Sequence, residues 1–185
     1  MNPTILLNFL IKPKEAYRDL VSNDNGSLLQ KADLMFLFYA ISRSIEMLTL
    51  PESYESKTWE KGLVFVLGTI GAYIISRYVF SFITHKLTSY ILNKGTLMQS
   101  RFIVAFSLTP VIFFAIISIL RVILIYSGLD NLISANIHYY LGIIASIYIL
   151  YVLTQGIMEI YDATWIQSLM IGSPIILTLI WTYLK

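Results

Sequence analysis

The sequence predicts an all-α protein, an integral membrane bundle of five transmembrane helices with a short N-terminal amphipathic helix. Two observations carry this expectation. Hydrophobic residues make up 57% of the 185 residues and charged residues 13%, against roughly 25% charged in an average soluble domain. A soluble domain of this size has too little interior to hide so much apolar surface. The apolar residues also gather into five stretches near the length of about 20 residues that crosses a hydrocarbon core. Backbone groups cannot be left unpaired in lipid, so these stretches are read as helices.

Residues 1–27 read as a cytoplasmic N-terminal segment. Ile5 to Ile11 is apolar, but no basic side chain precedes it, and Lys12, Pro13 and Lys14 follow. It is therefore read as retained, not as a signal peptide. Pro13 to Ser22 has the pattern of an amphipathic helix, with Pro13 suited to a first helical position. Ala16, Tyr17, Leu20 and Val21 share one face, and Lys14, Glu15, Arg18 and Asp19 the other. Such a helix lies on the inner leaflet, or binds a partner there. Asn23 to Gly26 ends it.

Residues 28–185 read as the five-span domain. The first span, Leu28 to Leu50, carries Lys31, Asp33, Arg43 and Glu46. Ser27 and Gln30 have capping-box spacing at its entry, and Pro51 closes it. The second, Gly62 to Thr84, meets no breaker before Gly95 and is expected to run on through Leu87 to Leu92. The third spans Phe102 to Tyr126, with Pro110 as a candidate kink. The fourth spans Ile137 to Met158. The fifth spans Trp165 to Leu184, with a second candidate kink at Pro174. Trp59, Tyr78, Tyr126, Tyr139, Tyr140, Trp165, Trp181 and Tyr183 fall mostly near span ends, as in aromatic belts. Gly68 with Ala72, and Gly142 with Ser146, have the spacing that lets helices approach closely.

Basic flanks set the direction. With the N-terminus inside, the inner flanks hold Lys12, Lys14, Arg18, Lys31, Lys86, Lys94 and Arg101, and the outer flanks only Lys57, Lys61 and Lys185. The excess predicts a cytoplasmic N-terminus and an outer C-terminus.

Lys94-Gly95-Thr96-Leu97, Arg101 to Pro110 (RFIVAFSLTP) and the N-terminal Pro13-Lys14-Glu15-Ala16-Tyr17-Arg18-Asp19-Leu20 resemble bacterial members of the Yip domain family. The resemblance covers the whole chain in architecture and implies five spans, a cytoplasmic N-terminus and a cell (inner) membrane. Eukaryotic members are linked to Rab-type GTPases and vesicle traffic. Their long polar tail and Asp-Leu-x-Gly-Pro motif are absent here, and Ala105-Phe106 stands where many members carry Gly-Tyr. The chain is thus similar to the short prokaryotic branch, and a GTPase partner is not carried over.

Ionisable groups inside a bilayer are costly and usually face the bundle interior in pairs. Arg43, Glu46, Arg77, Arg121 and Glu159 are the candidates. Rough depths suggest pairing Glu46 with Arg121 and Arg77 with Glu159, while Arg43 is one turn from Glu46 on its own helix. Such groups either fix the bundle or line a polar path. Catalytic signatures are absent: no HExxH, GxxxxGK(S/T) or GxGxxG motif occurs. His85 and His138 fall on opposite sides of the membrane, and the chain has no cysteine. The expected protein is non-enzymatic and needs no metal or cofactor. It binds no nucleic acid, since the net charge is only +2. Its partners are the bilayer and a protein on the cytoplasmic face; nothing in the sequence supports a homo-oligomer. The competing expectation is a small transporter or channel built on the intramembrane arginines and the proline-broken helices.

Overall fold

Helices account for the apolar stretches, and no strand occurs among the described residues. The computed structural model describes residues 3–22, 27–48, 58–127 and 135–184. The expected ends at Asn23 to Gly26 and at Pro51 lie outside these residues, as do the side chains of Tyr126, His138, Tyr139, Trp181 and Tyr183.

The chain opens with α1 (Pro3–Ile11) and α2 (Pro13–Ser22). The bounds of α2 are those expected from the sequence. Next come α3 (Leu28–Met47) and a continuous rod made of α4 (Thr58–Ile74), a π-helical segment (Ile75–Phe80) and α5 (Ser81–Leu92). A tight loop leads into α6 (Leu97–Ser107) and α7 (Thr109–Tyr126), followed by α8 (Ala135–Tyr161) and α9 (Trp165–Leu184).

Three helices are long and apolar enough to cross a membrane: Thr58–Leu92, Leu97–Leu124 and Tyr140–Tyr161. The first is 35 residues long, about 52 Å at 1.5 Å per residue. That exceeds a hydrocarbon core of about 30 Å, so it tilts or projects. Trp165–Ile180 is a shorter apolar helix, and α3 carries too many charges to be grouped with the first three.

The core is built around α6, where Phe102, Ile103, Val104, Ala105 and Phe106 are all buried. The helices packed on it are α3, α5 and α8. Capping explains why it begins before the expected Phe102. The Thr96 side chain accepts from the Gln99 amide, and the Gln99 side chain accepts from Thr96 N at 3.0 Å. Thr164 and Gln167 repeat the arrangement at the start of α9. The box expected at Ser27 and Gln30 does not form: Ser27 is the N-cap of α3 but makes no side-chain capping bond.

The two prolines are accommodated by neighbouring hydroxyls. Pro110 cannot donate to the Phe106 carbonyl, which instead accepts from Thr109 Oγ1 at 2.6 Å. Pro174 likewise cannot donate to Met170, whose carbonyl accepts from Ser173 Oγ at 3.2 Å. Both devices keep backbone groups satisfied where water is absent. At Pro110 the helix breaks, with Leu108 between α6 and α7; at Pro174 it continues.

Candidate functional site

The contacts that hold the N-terminal helices concentrate at the end of the bundle that carries the 93–96 and 162–164 loops. Here α2 is docked on α8 and meets α6 through Tyr17. Pro13, Ala16, Tyr17 and Leu20 are buried, whereas Val21 is half exposed. Val21 therefore leaves the expected face and lines a groove with Leu28 and Leu29 of α3. Burial pushes the Tyr17 phenol well up from its ordinary range, and its hydroxyl donates to the Ile103 carbonyl at 2.8 Å. The ring lies against Gly156, where an added Cβ would stand 2.6 Å from it. Phe9 of α1 meets Tyr17 edge-on, with ring centroids 4.8 Å apart, and stacks on Phe106 at 4.7 Å. Removing such an aromatic body from water is worth about 2 kcal/mol, so the α1–α2 pair is part of the core.

Polar contacts complete the docking. Arg18 Nε donates to Glu159 Oε1 at 2.7 Å, with Lys14 at 3.8 Å from the same carboxylate. Arg18 is raised from its ordinary value, first by its hydrogen bond with Glu159 and then by that carboxylate's charge. Gly95, at φ +100°, lets the α5–α6 loop pass so close to Tyr161 that a Cβ would sit 2.9 Å from its ring. Tyr161 also shares a 3.0 Å hydrogen bond with Ser100.

The docked α2 leaves an apolar groove of about 260 Å³ beside it, lined by Val21, Leu28, Leu29, Met98 and Gln99 among others. Val21 and Met98 are each about half exposed on its rim.

A family model of the Yip1 domain matches residues 7–184. The chain belongs to the Yip1 domain family. With its apolar helices, this Yip1 domain is an integral membrane protein. No curated protein and no solved structure matches the chain.

The charged residues of this Yip1 domain pair differently from the sequence expectation. Glu46 forms its ion pair with Arg43 on its own helix, not with Arg121. Arg77 pairs with Asp33 of α3, through Nη2 to Oδ2 at 2.9 Å, and Glu159 is taken by Arg18. For Arg77 and Glu159 the physical reason is which helices touch: α3 packs along α4 and the π-helical segment that holds Arg77, and α2 along α8. For Glu46, Arg43 stands one turn away on the same helix. Arg121 is buried on α7, which packs along α3. Gly68 serves contact within the chain, since a Cβ there would stand 3.1 Å from Met47 and 3.2 Å from Ser44 of α3. Thr69 of the same face donates to Ser44 Oγ at 2.9 Å. The second small-residue pair lies along α8, where Ser146 Oγ donates to the Gly142 carbonyl. Among the described residues, no three His, Asp or Glu side chains converge as metal ligands.

Proposed function

We propose that the protein crosses a bacterial inner membrane five times, with its N-terminus and its 93–96 and 162–164 loops in the cytoplasm. In this reading it binds a partner protein there and catalyses no reaction. The excess of Lys and Arg in the inner flanks supports the direction. Ion pairing supports α3 as a span in spite of its charges: Asp33 is matched by Arg77 and Glu46 by Arg43, which lowers the cost of carrying them into lipid. The fifth span is α9, whose proline is accommodated by Ser173.

The observation that carries the binding role is the groove beside α2, an apolar surface at the same end as the exposed Lys14, Arg18 and Lys94. Transport is the weaker reading. Arg43 and Arg77 are both held in ion pairs, and Phe9, Tyr17, Phe102 and Phe106 fill the space between the helices that meet there.

A photo-reactive amino acid at Met98 tests the binding role against one at Ser127. In living cells, Met98 should yield a discrete protein adduct and Ser127 none. Val21→Glu, which puts a charge on the groove's rim, should abolish the adduct. A Met98 adduct that survives Val21→Glu, or no adduct at all from Met98, would contradict this function.

A further inference from the structure

The rod Thr58–Leu92 is only sparsely covered: 11% of its most apolar stretch is buried by the rest of the chain. On an integral membrane protein, apolar helix surface so little covered is suited to lipid. Where α4 runs beside α3, the two helices leave a laterally open groove of about 560 Å³, within the range of about 300–1,000 Å³ usual for small-molecule sites. Leu37, Thr69 and Ile70 line its walls, and Tyr73, Asp33 and Gln30 lie toward one end. Leu37 and Ile70 are both exposed. An apolar trough open to hydrocarbon is filled by hydrocarbon, since an empty one forfeits dispersion contacts on every wall.

Beside the polar end lies a cluster outside the partner-binding face. Arg77 is held by Asp33, donates to the Tyr78 hydroxyl at 3.0 Å, and has its guanidinium 5.6 Å from the Tyr73 ring centroid. Arg101 of α6 reaches the same Tyr78 ring, at 5.5 Å. The Nε of Arg101 is buried without a hydrogen-bond partner among the described residues. The Arg77 Nε lies 2.8 Å from Asp33 Oδ1 but off-line for a hydrogen bond. Two guanidinium groups thus meet at one tyrosine ring. Arg77 has a carboxylate partner in Asp33, whereas no carboxylate among the described residues is within ion-pair distance of Arg101. The π-helical segment Ile75–Phe80 contains both Arg77 and Tyr78; such wide turns often mark functional sites.

Depth is consistent with a lipid headgroup. Asp33 lies five residues into α3 and Arg101 four into α6, about 8 and 6 Å from the helix starts. From there Leu37 lies about one turn further along α3, and Ile70 lies about two turns from Arg77 along the rod, both toward the middle of the bilayer. An uncompensated cation in lipid is costly, and a planar guanidinium fork matches phosphate oxygens.

We propose that this cluster and groove hold one anionic glycerophospholipid. Its phosphate sits between Arg101 and Arg77, and one acyl chain lies in the α3–α4 groove. The assignment does not depend on which side of the membrane faces the cytoplasm.

Native mass spectrometry of the full chain released from detergent tests it, with dioleoyl phosphatidylglycerol and dioleoyl phosphatidylcholine as probes. One phosphatidylglycerol should be retained, about tenfold over phosphatidylcholine. Arg101→Gln should remove that preference, and Ile70→Trp, which fills the groove without touching a charge, should lower retention by a similar factor. Lys86→Gln, which removes a cation resting on Phe82, should change nothing. Ile70 faces lipid, so that variant reports on the groove even if Arg101→Gln fails to fold. Equal retention of both lipids, full retention by either groove or arginine variant, or displacement by millimolar inorganic phosphate would each overturn the proposal.

Discussion

At the scale of single residues, the tightest glycine contact explains how the N-terminal helices are held. Gly156 exists to admit Tyr17, so Gly156→Ala should expel the ring and release α2. Increased tryptic cleavage at Lys14 and Arg18 in detergent would show it, while Gly71→Ala, with open space around it, should leave cleavage unchanged. Tyr17→Phe keeps the ring and loses only the bond to Ile103, and should cost about 1 kcal/mol in a reversible unfolding assay. Sequence reading found Tyr17 from the periodicity of α2 but not Gly156, because a close approach between distant segments leaves no local pattern. Arg43 with Glu46 was legible as a pair one turn apart on α3, but the pairs between helices were legible by residue type and not by partner. Arg77 and Glu159 were read as charges to be paired, and each is in an ion pair, yet which carboxylate reaches which arginine depends on helix contacts that spacing does not encode. Asp33 and Arg101 were passed over for that reason.

Elements are governed by their ends and breaks. Two Thr-x-x-Gln boxes start α6 and α9, and Thr96→Ala should destabilise the bundle by about 1 kcal/mol, read as a lowered unfolding midpoint in detergent. The same pattern at Ser27 and Gln30 fails to close, so a capping motif is a local offer that the backbone can decline. Helix positions were largely legible: α2 and α9 begin and end where the sequence indicates, and the second apolar helix runs on to Leu92 because nothing interrupts it. The π-helical segment was not legible, since Ile75–Phe80 has no residue that requires a wide turn. Ser76 within it and Ser81 just after it are both fully buried. The prolines were visible, but not the hydroxyls of Thr109 and Ser173 that accommodate them in different ways.

On the scale of the whole molecule, the account joins a membrane bundle of the Yip1 domain family to one working end. That end gathers the docked α2, the 93–96 and 162–164 loops and the apolar groove. In the proposed topology, five spans put both loops on one side of the membrane, and the excess of basic flanks favours the cytoplasm for that side. The chain has no cysteine, so single cysteines can be placed without background. Labelling of intact cells by a membrane-impermeant thiol reagent, with cysteines at Lys94, Asp162 and Ser127 in turn, is the most direct test. The account predicts labelling at Ser127 alone, with Lys94 and Asp162 reacting only after the membrane is opened. Labelling of Lys94 or Asp162 in intact cells would contradict it.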